Sequence, residues 1–127
     1  MRAICFIQET QDSDLTLRQQ QLICRHALRK LLWPCAWEWI AQAGTEDRPI
    51  SLRPGMAELM RAAATGEAEV LVITDVEHLH CGDAELQGLL MALLQNGVHT
   101  FSACKGCWVE PGGRHWMPLP GYDESEK

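Results

Sequence analysis

Residues 69–103 read EVLVITDVEHLHCGDAELQGLLMALLQNGVHTFSA. Val70, Leu71, Val72 and Ile73 follow one another without a polar interruption, the mark of a strand covered on both faces and therefore central in a sheet. Asp83 is placed to cap a helix in which Leu86, Leu89, Leu90, Leu93 and Leu94 form one stripe, and Asn96 with Gly97 close it. The run VHTFSA at 98–103 is the next strand. Strand, helix, strand at this spacing is the unit that builds a parallel sheet through right-handed crossovers.

The same alternation continues upstream. The run RAICFI at 2–7 is a buried strand, and polar residues from Gln8 to Asp14 end it. Asp12, Ser13 or Asp14 can cap the helix that follows, whose Leu15, Leu22, Ile23, Ala27, Leu28, Leu31 and Leu32 keep helical spacing until Pro34. Trp37, Trp39 and Ile40 mark a second strand, and residues 42–51 a loop. Pro54 suits the first turn of a helix carrying Met56, Leu59, Met60 and Ala63, with Gly66 as its stop. The expected fold is a three-layer α/β domain over residues 1–103, with a mostly parallel four-stranded sheet and helices on both faces. Residues 104–127 are expected to be an irregular Gly/Pro-rich tail packed on or trailing from that domain, ending in the acidic YDESEK.

With 127 residues, 46% of them hydrophobic, the chain can bury one core and not two. No run approaches the roughly 18 to 20 apolar residues that span a bilayer, and the start MRAICFIQE has no signal-peptide layout, so a cytoplasmic protein without membrane contact is expected. The net charge of -6 repels nucleic acid, which leaves DNA binding to be weak or to run through a partner. The six cysteines need no disulfides in such a chain.

In a parallel α/β sheet the chemistry gathers at the carboxyl ends of the strands. Here those loops cover 8–14, 42–53, 75–82 and 104–107. RAICFIQET resembles the opening of the resolvase/invertase serine recombinases, and the long segment from Arg53 to Val98 resembles that family's Arg-Pro-Gly helix, apolar strand, Asp-Arg-Leu-Ser-Arg loop and following helix. The match covers roughly the first four fifths of the chain, judged by motif order and spacing. The resemblance implies a resolvase-like catalytic domain of DNA recombination and mobile elements. There a serine hydroxyl attacks a phosphodiester while arginines hold the transition-state charge.

Carried over residue by residue, the resemblance implies a dismantled site. Thr10 stands at the serine position, with a hydroxyl but a stiffer χ1. Gln8 replaces the arginine two residues earlier; Glu77, His78, Leu79, His80 and Cys81 stand where the family has Asp-Arg-Leu-Ser-Arg. Arg53 alone keeps its guanidinium. Losing one preorganised donor costs about a hundredfold to a thousandfold in rate, so the expected function is a non-catalytic interaction or regulatory module. The alternative is an active recombinase or nicking enzyme using Thr10 and Arg53. The family's dimer helix and DNA-binding domain are not matched, because CKGCWVEPGGRHWMPLPGYDESEK follows the sheet instead. A protein partner or a second copy is therefore expected to complete the molecule.

Plainer roles are open at each residue. Arg53 can pair with a carboxylate such as Glu77, Thr10 can cap a turn, and Ser13, a second candidate nucleophile, can cap a helix. Cys104 and Cys107 form a CxxC at the same sheet edge as His78, His80 and Cys81, a set that zinc accepts, with His115 as a further ligand. A zinc-binding structural module is thus a second alternative, against a simple turn at Gly106; no other cofactor is indicated. Trp33, Trp37 and Trp39 are expected in the core, and Trp108 and Trp116 over apolar surface at its margin.

Overall fold

The computed structural model describes residues 1–11, 14–111 and 115–118. Strands β1 (Ala3–Gln8), β2 (Cys35–Ala41), β3 (Val70–Ile73), β4 (His99–Ser102), β5 (Cys107–Val109) and β6 (His115–Pro118) form one sheet in the order β2-β1-β3-β4-β5-β6. The first three pairings, β1 with β2, β1 with β3 and β3 with β4, are parallel. Helices α1 (Leu17–Lys30), α2 (Met56–Ala64) and α3 (Asp83–Gln95) supply the crossovers. The apolar runs at 2–7, 69–74 and 98–103 are neighbouring parallel strands, as their composition predicts.

β1 and β3 are buried along their whole length because helices cover both faces. Ile4 and Phe6 of β1, with Leu71 and Ile73 of β3, face Met56, Leu59, Leu86 and Leu93 of α2 and α3. Ala3, Cys5 and Ile7, with Val70 and Val72, face Cys24, Ala27 and Leu28 of α1. The period-2 alternation of each strand thus feeds two separate apolar layers.

Four details of the elements differ from the sequence reading, one of them at α3, where Gly82 rather than Asp83 holds the N-cap position and Asp83 is the first helical residue. α1 is capped by Thr16, whose side chain accepts from Gln19 N–H while the Gln19 side chain accepts from Thr16 N–H; this reciprocal capping box makes Asp14 unnecessary as a cap. Asp12 and Ser13, the other caps considered, lie outside the described residues. Pro54 precedes α2 rather than opening it, because Gly55 caps that helix in a left-handed conformation. The sheet has six strands instead of four. The segment after Cys104 turns at Gly106 and returns as β5, antiparallel to β4, with β6 antiparallel to β5. Gly and Pro forbid a helix there but not two short strands joined by turns. Residues 119–127, including the acidic end, lie outside the described residues.

β5 closes the α1 face. Trp108 meets Trp33 at 5.5 Å and Phe101 at 5.4 Å between ring centroids, and Trp33 meets Phe101 edge-on at 5.2 Å. Trp39 packs on the opposite core, while Trp37 is 39% exposed. Trp37 is therefore not the core residue expected. No helix among the described residues is long and apolar enough to cross a membrane.

Candidate functional site

Four chain segments meet beyond the carboxyl ends of β1, β2, β3 and β4. Arg53 enters this region from the loop between β2 and α2 and is almost completely buried. Its Nε donates to Arg48 O at 3.1 Å, one terminal nitrogen to Gln8 Oε1 at 3.2 Å and to Leu79 O, and the other to Glu46 O at 2.9 Å and His80 O at 2.7 Å. A guanidinium has five N–H donors, and these five oxygens match them in number. Among the described residues Arg53 forms no ion pair, so the expected partnership with Glu77 is corrected: Glu77 is exposed, and neutral dipoles hold the cation. His80, one of the acceptors, has a left-handed backbone with φ 50.

Gln8 completes the knot from the end of β1. Its Nε2 lies within 2.9 Å of Glu9 O, 3.2 Å of Thr45 Oγ1 and 3.3 Å of Ala41 O, and its Oε1 accepts from Arg53. An amide serves here as donor and acceptor at once, which an arginine cannot. Thr10, two residues on, has a buried Oγ1 with no hydrogen-bond partner among the described residues.

His78 occupies the turn after β3 (Val76–Leu79, a short 3-10 helix) and is buried. Its Nε2 sits 3.3 Å from Asp14 Oδ1, and its Nδ1 is buried with no hydrogen-bond partner among the described residues. Cys81 is half-buried; desolvation pushes its thiol up against the pull of Arg53, so it stands as a neutral group. Ser13 lies outside the described residues.

A second polar cluster went unnoticed in the sequence. Thr74 Oγ1 donates to Gln20 Oε1 at 3.0 Å, and Gln20 Nε2 donates to Gln8 O at 3.4 Å. Beside it Asp75, also buried, accepts from Val76 N–H at 2.8 Å and Ser102 Oγ at 3.1 Å, and pairs with Lys105 at 3.3 Å. The available signal was polar Thr74 and Asp75 directly after VLVI, where burial demands partners.

The CxxC flanks the turn between β4 and β5. Cys104 is exposed, Cys107 is buried in β5, and no disulfide joins any of the six cysteines. Burial raises the Cys104 thiol, with Asp75 and Glu77 adding to the effect. Among the described residues no group of three or more His, Cys, Asp or Glu side chains is close enough to hold a metal ion. His78 instead meets Asp14, His80 is exposed, and the side chain of His115 is outside the described residues.

The fold matches solved structures. The N-terminal catalytic domain of TP901-1 integrase superposes with a TM-score of 0.73 at 12% identity, covering 85% of this chain and 82% of that one. The fold is that of a serine recombinase catalytic domain. The C-terminal catalytic domain of ISC1926 TnpA, an IS607-like serine recombinase, gives 0.66 at 15% identity over 81% of this chain and 70% of its own. A resolvase family site-specific recombinase from Streptococcus pneumoniae gives 0.65 at 11% identity over 99% of this chain and 80% of its own. No family model and no curated protein matches the sequence. On this serine recombinase fold the strand-end loops carry the guanidiniums of Arg48 and Arg53, the latter already engaged by protein oxygens, and the ammonium of Lys105, paired with Asp75, together with the carboxylates of Glu9, Asp14, Glu46, Asp47, Asp75 and Glu77.

Proposed function

We propose that this chain is a catalytically silent serine-recombinase-type domain that works as an interaction or regulatory module. The observation that carries the reading is Arg53: its five donors are matched by five oxygens of the protein itself, so a phosphodiester would have to displace internal bonds to be held. Phosphoryl transfer depends on preorganised positive charge, and Gln8, His78 and Cys81 supply no fixed cation. An imidazolium at His78 would offer two donors without the guanidinium fork. The acidic loops and the net charge of -6 add a field that opposes DNA. DNA contact then runs through a protein partner or stays weak.

One observation favours the opposite reading: Thr10 Oγ1 is unpartnered, as a hydroxyl awaiting a substrate would be. Incubation with supercoiled DNA followed by a denaturing gel separates the two. The silent reading expects no protein–DNA adduct from the native chain or from Thr10→Ser. An adduct that vanishes in Thr10→Ala makes the chain a recombinase or nicking enzyme. Serine at Thr10 combined with arginine at Gln8, His78 and Cys81 is the combination expected to recover cleavage, if any does.

A further inference from the structure

β2 ends the sheet on one side and, among the described residues, pairs only with β1. Ala41 O accepts from Glu9 N–H at 2.8 Å, and Trp37 and Trp39 share its phase in the parallel ladder. Glu38 and Ile40 consequently turn their N–H and C=O groups away from β1. Open edges of this kind recruit another strand unless lysine, proline or a covering element protects them. CAWEWIA contains neither lysine nor proline; its one irregularity is the register shift opposite Ala3 and Ile4.

We propose that β2 is a homodimer edge, pairing antiparallel with β2 of a second copy about a two-fold axis through Glu38. The sequence itself is nearly symmetric about that point: Trp37 and Trp39 flank Glu38, with Ala36 and Ile40 outside them. A two-fold interface places the same patch on both sides, so a self-complementary strand is what it requires. Glu38 falls at a hydrogen-bonded position, exchanging N–H and C=O with its own copy, and Ile40 lies opposite Ala36.

Trp37 of each copy then faces Trp39 of the other at a non-hydrogen-bonded position, where side chains approach more closely. Within one copy these rings already stack at 5.6 Å with 23° between planes, and Trp37 is 39% exposed. The pairing buries that surface in a four-tryptophan cluster. A recess of about 400 Å³ between the two rings and Glu58, Arg61 and Glu67 borders the cluster.

Like charges facing one another would oppose the pairing, but each Glu38 is already compensated. Arg25 holds it through two bonds, at 2.9 and 3.2 Å, and Gln21 donates to it at 3.0 Å. Arg25, with 44% of its side chain exposed, can also serve the carboxylate of the second copy. Cation and anion therefore alternate across the axis. This edge does not depend on whether the strand-end loops cleave DNA.

Sedimentation velocity across a wide concentration range tests the proposal. A strand-to-strand contact of this length lies at the small end of stable interfaces, so dissociation on the order of 10 µM is expected. The mass should rise from one copy to two and stop there. Ile40→Pro removes an outward N–H without touching the β1 ladder and should weaken dimerisation at least tenfold; Trp37→Lys, at an exposed position, should do the same by placing cations beside the axis. Circular dichroism checks that each variant keeps its fold. A single-copy mass at every concentration, growth beyond two copies, or dimers indifferent to Trp37→Lys would overturn the assignment.

Discussion

At Arg53 a buried cation is held by five neutral oxygens drawn from Gln8, Glu46, Arg48, Leu79 and His80, so its removal should be felt as lost stability before lost binding. Lysine offers three donors and no planar fork. With unmade bonds to a charged group worth roughly 1.5–3 kcal/mol each, Arg53→Lys should lower the urea unfolding free energy by on the order of 3 kcal/mol. Unchanged stability would mean that the guanidinium is held in reserve for a ligand. Thr10 should behave in the opposite sense. Its buried hydroxyl lacks a partner, and Thr10→Val swaps it for a methyl of similar shape, so stability should rise by up to about 1 kcal/mol in the same measurement. A loss would reveal a bond that the free hydroxyl does not display. The sequence located both residues by motif order. It could not show that Arg53 is saturated, because four of its acceptors are backbone carbonyls, which every residue carries.

Among the elements, α2 is positioned by Gly55. Its φ is +87, and a Cβ there would lie 2.8 Å from Cγ of Trp39. Gly55→Ala must therefore strain the backbone and displace the indole, at a cost of about 1–3 kcal/mol in thermal unfolding, with a changed near-ultraviolet tryptophan signal. An unchanged melting temperature would show that β2 can give way. The Arg-Pro-Gly triplet was legible in the chain, whereas the indole against it was not, since the contact joins residues 39 and 55 across two elements. The caps have a similar history. Thr16 lay within reach of sequence reasoning through its Thr-x-x-Gln spacing, but three nearer polar residues competed with it. β5 and β6 were missed because short strands at a sheet margin carry little pattern of their own, and pairing with β4 is what defines them.

Across the whole molecule, burial divides the six thiols. Brief alkylation of native protein at low concentration, read by mass spectrometry, should modify Cys35 and Cys104 first, Cys81 slowly, and Cys5, Cys24 and Cys107 only on unfolding. Early labelling of Cys24 would show that α1 opens from the sheet. The chain's composition and periodicities determined a parallel α/β core, because apolar runs and helical stripes are local and each must find a cover. They also brought Gln8, Thr10, Arg53, His78 and Cys81 to one edge of the sheet, since the four parallel strands β1 to β4 point their carboxyl ends the same way. The tertiary structure alone decided how those residues meet: that Gln8 and Arg53 bind each other, that His78 turns to Asp14, and that the CxxC splits between surface and core. Side-chain partnership depends on distances between segments far apart in the chain, and no local pattern encodes them.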